Sequence, residues 1–168
     1  MVAKMSGCFY FISEQFYDEF QDRGLMKNKD GEPGGRGGRP CFFTFPDSDN
    51  PDILWLIPIS SKVEKYKVIQ QKIVRKYKSC NTLHFCDFLG KERAFLIQNI
   101  FPVTKDYIDE LYVNQRNKEI RIALKDERQI IRKAKTAFRL HYRGTKVFFV
   151  DIEFIKKELV KKLNLTKN

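Results

Sequence analysis

Apolar positions in this chain fall into two kinds of pattern. Short, nearly unbroken runs predict strands, and longer stretches with an apolar residue every three or four positions predict amphipathic helices. The first run, GCFYFI at 7–12, reads as a strand, with Ser13 placed to cap a short helix carrying Phe16 and Phe20. CFFTF (41–45) and DILWLIPI (52–59) read as a strand pair joined across PDSDNP, the second apolar almost throughout, as a centrally buried strand would be. TLHFCDF (82–88) and RAFLIQNIF (93–101) read as a second pair turning at LGKE, with Thr104 as the cap of a short helix over 105–113. From Lys62 onward, Val63, Tyr66, Ile69, Ile73 and Tyr77 trace the inward face of a helix with a basic back. Ile120, Ala123, Leu124, Glu127, Ile130, Ile131, Ala134, Ala137, Phe138 and His141 trace a longer one that stops at Gly144. Residues 147–150 read as a short strand, and Asp151 as the cap of a last helix over 152–163. Residues 27–40 hold five of the nine glycines and predict a mobile loop.

No repeat and no second core shows in this pattern, so a single domain over 1–168 is expected; 168 residues with 42% hydrophobic and 14% aromatic content suffice for a real core. The net charge of +11 is concentrated: residues 62–78 carry a net +6 and residues 116–146 a net +8, which leaves −3 for the rest. Two such segments point to a polyanionic partner, because phosphate neutralisation and counterion release drive nucleic-acid binding. Residues 1–7 hold no apolar segment, so no N-terminal leader is expected, and no apolar run approaches the ~18 residues of a membrane span. A reducing cytoplasm with four free thiols, Cys8, Cys41, Cys80 and Cys86, is therefore expected. Cys80, His84 and Cys86 offer only three neighbouring ligands at a spacing unlike the usual zinc pairs, so no metal or cofactor is expected. His84, in a strand, and His141, on a helix, read as structural.

Candidate chemistry gathers where the apolar strand gives way to the first basic helix, at Pro58-Ile59-Ser60-Ser61-Lys62. Ser61 with Glu64 three residues on is a capping box, which assigns Ser61 to helix stability. Ser60 is not needed for that cap, and Lys62 in the first turn opposes the helix dipole. An anion docked on the helix N-terminus would be attracted by the dipole, the lysine and both hydroxyls together.

The order of elements, the loop ending GGRP, the strand–PISSK–basic helix unit, FLIQNIFPV and the long helix with IIRKAKTAF resemble the ToxN/AbiQ family of type III toxin–antitoxin toxins, in its TenpN and CptN branches. The resemblance covers most of 7–143 and is clearest over 54–103. It implies an α+β fold: a compact, strongly bent antiparallel sheet resembling the SH3-like barrel of the Kid and MazF toxins, elaborated by helices including one long basic helix. It also implies a metal-independent endoribonuclease, held inactive by a small repeated RNA antitoxin that it processes. The family's site is a hydroxyl pair after a proline at a strand end, then a lysine, with a basic residue just before the preceding strand. Pro58, Ser60 and Ser61 match the first part, and Arg39 stands at the basic position. The family's proline between hydroxyl pair and lysine is missing, so the lysine's place falls to Lys62 or Lys65. The tyrosine common in the first loop has no counterpart among residues 31–38.

The chemistry suits these residue types. RNA supplies its own nucleophile, the 2′-OH, so cleavage requires in-line positioning, a proton acceptor and cationic donors for the charge that grows on the phosphate. The surplus charge then suits an RNA track: Lys72, Arg75, Lys76 and Lys78 on the first basic helix, and Arg121, Lys125, Arg128, Arg132, Lys135 and Arg139 on the long one, together with Arg39. The expected partners are a repeat RNA antitoxin and mRNA. The rival readings are a non-catalytic RNA-binding protein, a zinc-dependent nuclease and a DNA-binding regulator, and the chain shows neither an RNA-binding signature, a complete zinc ligand set nor a helix-turn-helix pattern.

Overall fold

In the computed structural model, residues 6–28 and 38–167 are described. The strands are β1 (Phe9–Ile12), β2 (Cys41–Pro46), β3 (Leu54–Ser60), β4 (Leu83–Phe88), β5 (Lys91–Leu96), β6 (Phe101–Val103) and β7 (Ile108–Leu111); the helices are α1 (Glu14–Glu19), α2 (Val63–Tyr77), α3 (Leu124–Tyr142) and α4 (Ile152–Thr166). The seven strands form one antiparallel sheet in the order β4-β5-β3-β2-β1-β7, with β6 also paired to β3. β4 and β7 are its edges, so the sheet is open and does not close into a barrel. The class is α+β, as expected.

Every residue of β1 and β3 is buried, which is why these segments read as unbroken apolar runs without alternation. Phe9 and Phe42 meet at 5.3 Å between ring centres, and Phe42 and Phe95 at 5.9 Å. α3 brings Ile130, Ala134 and Ala137 into the same core, with Phe138 against Trp55 at 4.8 Å. α4 adds Ile152, Ile155 and Leu159, all fully buried or nearly so. It begins at the expected cap, Asp151, whose carboxylate accepts from the Phe154 N–H at 3.2 Å. Lys162 then ties it back to Glu19 of α1 and to the Tyr107 hydroxyl. α2 packs separately, burying Tyr66 with Leu83, Ala94 and Leu96 on β4 and β5. Because side chains alternate along a strand, His84 and Cys86 of β4 face the other way, toward α3.

Several expected elements differ. The run 93–101 is two strands: β5 pairs with the end of β3 and β6 with its start, separated by a 3-10 turn over Ile97–Asn99. That break lies opposite Ile57 and Pro58, and Pro58 has no N–H to lend to a ladder. The short helix over 105–113 shrinks to a 3-10 turn, Lys105–Tyr107, after which β7 pairs with β1; a sheet edge overrides a helical period only one or two turns long. The Thr104 and Ser13 side chains make no cap bond. The long helix starts at Leu124 rather than Ile120, because Ile120 and Ile122 are buried in an extended lead-in whose Ile120 N–H bonds the Tyr112 carbonyl. Residues 147–150 form no strand. Of the expected loop, residues 29–37 lie outside the described residues.

Candidate active site

β3 ends at Ser60, and the next strand but one, β5, holds it in register through Ala94. Arg39 reaches the same point from the residue pair before β2. Its Nη1 donates to the Ile59 carbonyl at 2.6 Å, its Nε to the Lys27 carbonyl at 3.3 Å, and its backbone N–H to Asn28 Oδ1 at 3.1 Å. Arg39 is 7% exposed. A cation this buried acts on its neighbours: burial pushes the Tyr66 and Tyr17 phenols up and the Cys41 thiol up to about 12, and Arg39's charge opposes the rise at each. The basic residue and the hydroxyl pair that the resemblance put in one site thus meet at one strand end, twenty residues apart in sequence between Arg39 and Ile59.

The capping contact expected of Ser61 is not made, and a local contact is made by Ser60 instead. Lys62, not Ser61, is the N-cap residue of α2, and no side chain caps that helix. Ser60 is 3% exposed, and its Oγ accepts from the Lys62 N–H at 3.2 Å; it fixes the strand-to-helix turn. Ser61 is exposed, as are Lys62, Glu64 and Lys65. Of the candidate hydroxyl pair, Ser61 therefore faces solvent next to Lys62, and Ser60 is buried. Lys65 Nζ lies 5.3 Å from the centre of the Tyr66 ring.

The expected RNA-contacting side chains Lys72, Arg75, Lys76 and Lys78 are all exposed at the far end of α2. Lys125, Arg128, Arg132, Lys135 and Arg139 are exposed along α3. Arg121 precedes α3, where it pairs with the buried Glu127 at 3.5 Å and donates to the Ser6 carbonyl at 3.2 Å. α2 and α3 lie on opposite faces of the β4–β5 hairpin.

Residue patterns missed a second polar group. His84 is buried in β4, with Nε2 2.9 Å from Asp126 Oδ1 and Nδ1 3.1 Å from Lys133 Nζ, which also donates to the Leu83 carbonyl at 3.0 Å. An ammonium facing Nδ1 makes that nitrogen the acceptor and leaves the ring proton on Nε2 for Asp126. Burial and the Lys133 charge pull the His84 pKa down, against Asp126, and burial lowers that of Lys133. Cys86 joins His84 and Asp126 in a group whose ligand atoms lie within 4.8 Å of one another, whereas Cys80 instead sits 3.5 Å from Thr82 Oγ1. Lys133 already balances the carboxylate across the imidazole. Asp126 and Lys133 are seven residues apart, two helical turns, on the same stripe as Ile130 and Ala137; that position on the helix was the signal. His141, near the end of α3, bonds Glu153 of α4 at 3.0 Å, a link between helices.

No protein-family model matches this chain, and no curated protein does. Among solved structures the fold is similar to that of AbiQ, a lactococcal anti-phage endoribonuclease belonging to the type-III toxin–antitoxin system, with a TM-score of 0.67 over 95% of this chain and 99% of that one. The sequences are 12% identical, so the likeness is one of fold, and it is the fold that the ToxN/AbiQ resemblance implied.

Proposed function

We propose that the protein is an endoribonuclease toxin of a type III toxin–antitoxin system, cutting single-stranded RNA at the β3–α2 turn. The observation that carries this reading is the convergence of Arg39, Ser60, Ser61 and Lys62 at one strand end, within a fold shared with an endoribonuclease of that system. In the reaction, the substrate 2′-OH loses its proton as it attacks the adjacent phosphorus, the bond to the 5′-oxygen breaks and that oxygen takes up a proton, and a 2′,3′-cyclic phosphate and a 5′-OH remain. Ser61 and Lys62 present a donor and a positive charge to the phosphate where its charge grows; Lys65 is the alternative cation. Ser60 and Arg39 act from beneath, one holding the turn and the other holding the Ile59 carbonyl and supplying a buried positive charge. No metal enters this scheme. A repeat RNA that ends with its phosphate at the same turn would block it as product does, and the basic faces of α2 and α3 would carry the rest of that RNA.

The test is cleavage of a single-stranded RNA in excess EDTA, with the product ends identified. Cyclic phosphate ends, and a loss of about 10²- to 10³-fold in Ser61→Ala and Lys62→Ala without a change in melting point, are expected. Lys65→Ala shows which lysine acts. Ser60→Ala loses activity and also about 1 kcal/mol of stability, since the Lys62 N–H loses its acceptor. Activity that needs added Mg²⁺ or Zn²⁺, or full activity in every serine and lysine variant, would sink the proposal.

A further inference from the structure

The apolar stripe of α2 is longer than the surface it covers. Val63 and Tyr66 are buried and Ile69 and Ile73 are half-buried, but Val74 and Tyr77, which continue the same stripe, are exposed, Tyr77 by 65%. Positions 74–79 are exposed all round, and the chain returns to the body only at Cys80. The helix ends in a left-handed Lys78 whose N–H bonds the Val74 carbonyl, so its last turns are a formed, overhanging tip. That tip carries Lys72, Arg75, Lys76 and Lys78, and no acidic residue occurs between Lys65 and Lys78. Lys76 Nζ stands 5.1 Å from the centre of the Tyr77 ring.

We infer that the overhanging tip of α2 is a docking surface for single-stranded RNA, in which Tyr77 stacks on a base and Lys72, Arg75, Lys76 and Lys78 neutralise the flanking phosphates. This rests on the RNA-cleaving reading above and adds to it a base contact distant from the turn. Charge selects the occupant: a second copy of this basic chain would meet like charge. An acidic membrane would require a continuous apolar face, and most of the stripe of α2 is already spent on β4 and β5. A flat ring among cations is instead the arrangement that grips single-stranded nucleic acid, where stacking tolerates any base and the cations follow the backbone.

The probe is a fluorescent 2′-O-methyl oligoadenylate, which has no free 2′-OH and so cannot be cut by the proposed reaction. Binding is measured by anisotropy over a range of salt concentrations. Tyr77→Ala should bind about tenfold more weakly, with its log–log salt slope unchanged, because stacking releases no counterions. Tyr77→Phe should bind like the wild type. Lys72→Ala and Arg75→Ala should each flatten the slope by about 0.7. Wild-type affinity in Tyr77→Ala, an equal loss in Tyr77→Phe, or a wild type that binds phosphatidylserine vesicles and not the probe would each overturn the inference. Its failure is separable from that of the catalytic reading: a protein that binds the probe as described but cuts no RNA loses the catalytic reading alone. One that cuts RNA while Tyr77→Ala binds normally loses only this surface.

Discussion

Helices α2 and α3 are alike in composition, each an apolar stripe with a lysine- and arginine-rich back, and the fold uses them differently. α3 buries its stripe along its middle, from Glu127 to Ala137, and spends even an inward lysine, Lys133, on a buried histidine and a carbonyl. α2 buries only its first turn fully. Its start makes the turn at Ser60, and its last turn, from Val74 to Lys78, is exposed. A helix packed along its middle can present a fixed charge pattern but little else, whereas one whose burial fades from its first turn to its last leaves both the turn at its root and the surface at its tip open to contact. Charge density alone does not tell the two apart; the depth of the stripe does.

Substitutions in the two stripes test this most severely. Ile130→Ala, in α3, removes a fully buried side chain and should cost about 2–5 kcal/mol, read from chemical denaturation. Val74→Ala, in α2, should stay within about 0.5 kcal/mol of the parent. Equal losses would mean that the tip of α2 is held as firmly as α3. A smaller effect is expected from the backs of the helices. If the protein holds the proposed repeat RNA, replacing Arg128, Arg132 and Lys135 together by alanine should reduce the amount that co-purifies and flatten the salt dependence of its binding by about 2 in log–log slope, for three phosphates lost. Unchanged retention would reduce the back of α3 to a solvated surface.

The smallest effect concerns pH and belongs to the buried group that α3 shares with β4. His84 has a folded pKa below its ordinary 6.5, so the unfolded chain binds the proton more readily. The stability this neutral imidazole contributes is complete above about pH 6.5 and is lost as the pH falls toward the depressed folded value. The groups facing it are Asp126, Lys133 and Cys86. Asp47, whose carboxyl is held below 3.8 by its bonds to Lys156 and Trp55, titrates lower and does not confuse this window. Melting points measured from pH 7.5 to 5 should fall for the parent and stay nearly level for His84→Gln. Parallel curves would assign the acid sensitivity elsewhere.

Much of the architecture was legible because burial was written as contrast. The unbroken runs of β1, β2 and β3, the stop at Gly144 and the Asp151 cap are each local signals with one physical meaning. What misled were signals with two meanings. Ser61 and Glu64 fit a capping box, but the cap depends on backbone angles, and the chain turns one residue later, with Lys62 as the cap position. Tyr77 fits the inward stripe, but where that stripe runs out of sheet depends on the width of β4 and β5. RAFLIQNIF fits one strand, and only the pairing of β3 with two partners splits it. At the candidate site, the residue types were readable and their depths were not: no pattern places Arg39 under Ile59 or puts Ser60 below Ser61.

One consequence of α4 concerns time rather than geometry. Ile152, Ile155 and Leu159 cover the central core, and Lys162 fastens that cover to Glu19, 143 residues earlier. During synthesis, which proceeds from the N-terminus, the strands and both basic helices emerge before this cover exists. The core is first complete when Leu159 has left the ribosome. An RNA-cutting chain made on a ribosome would then lack its finished shape for as long as the stretch of message that encodes α4 remained to be read.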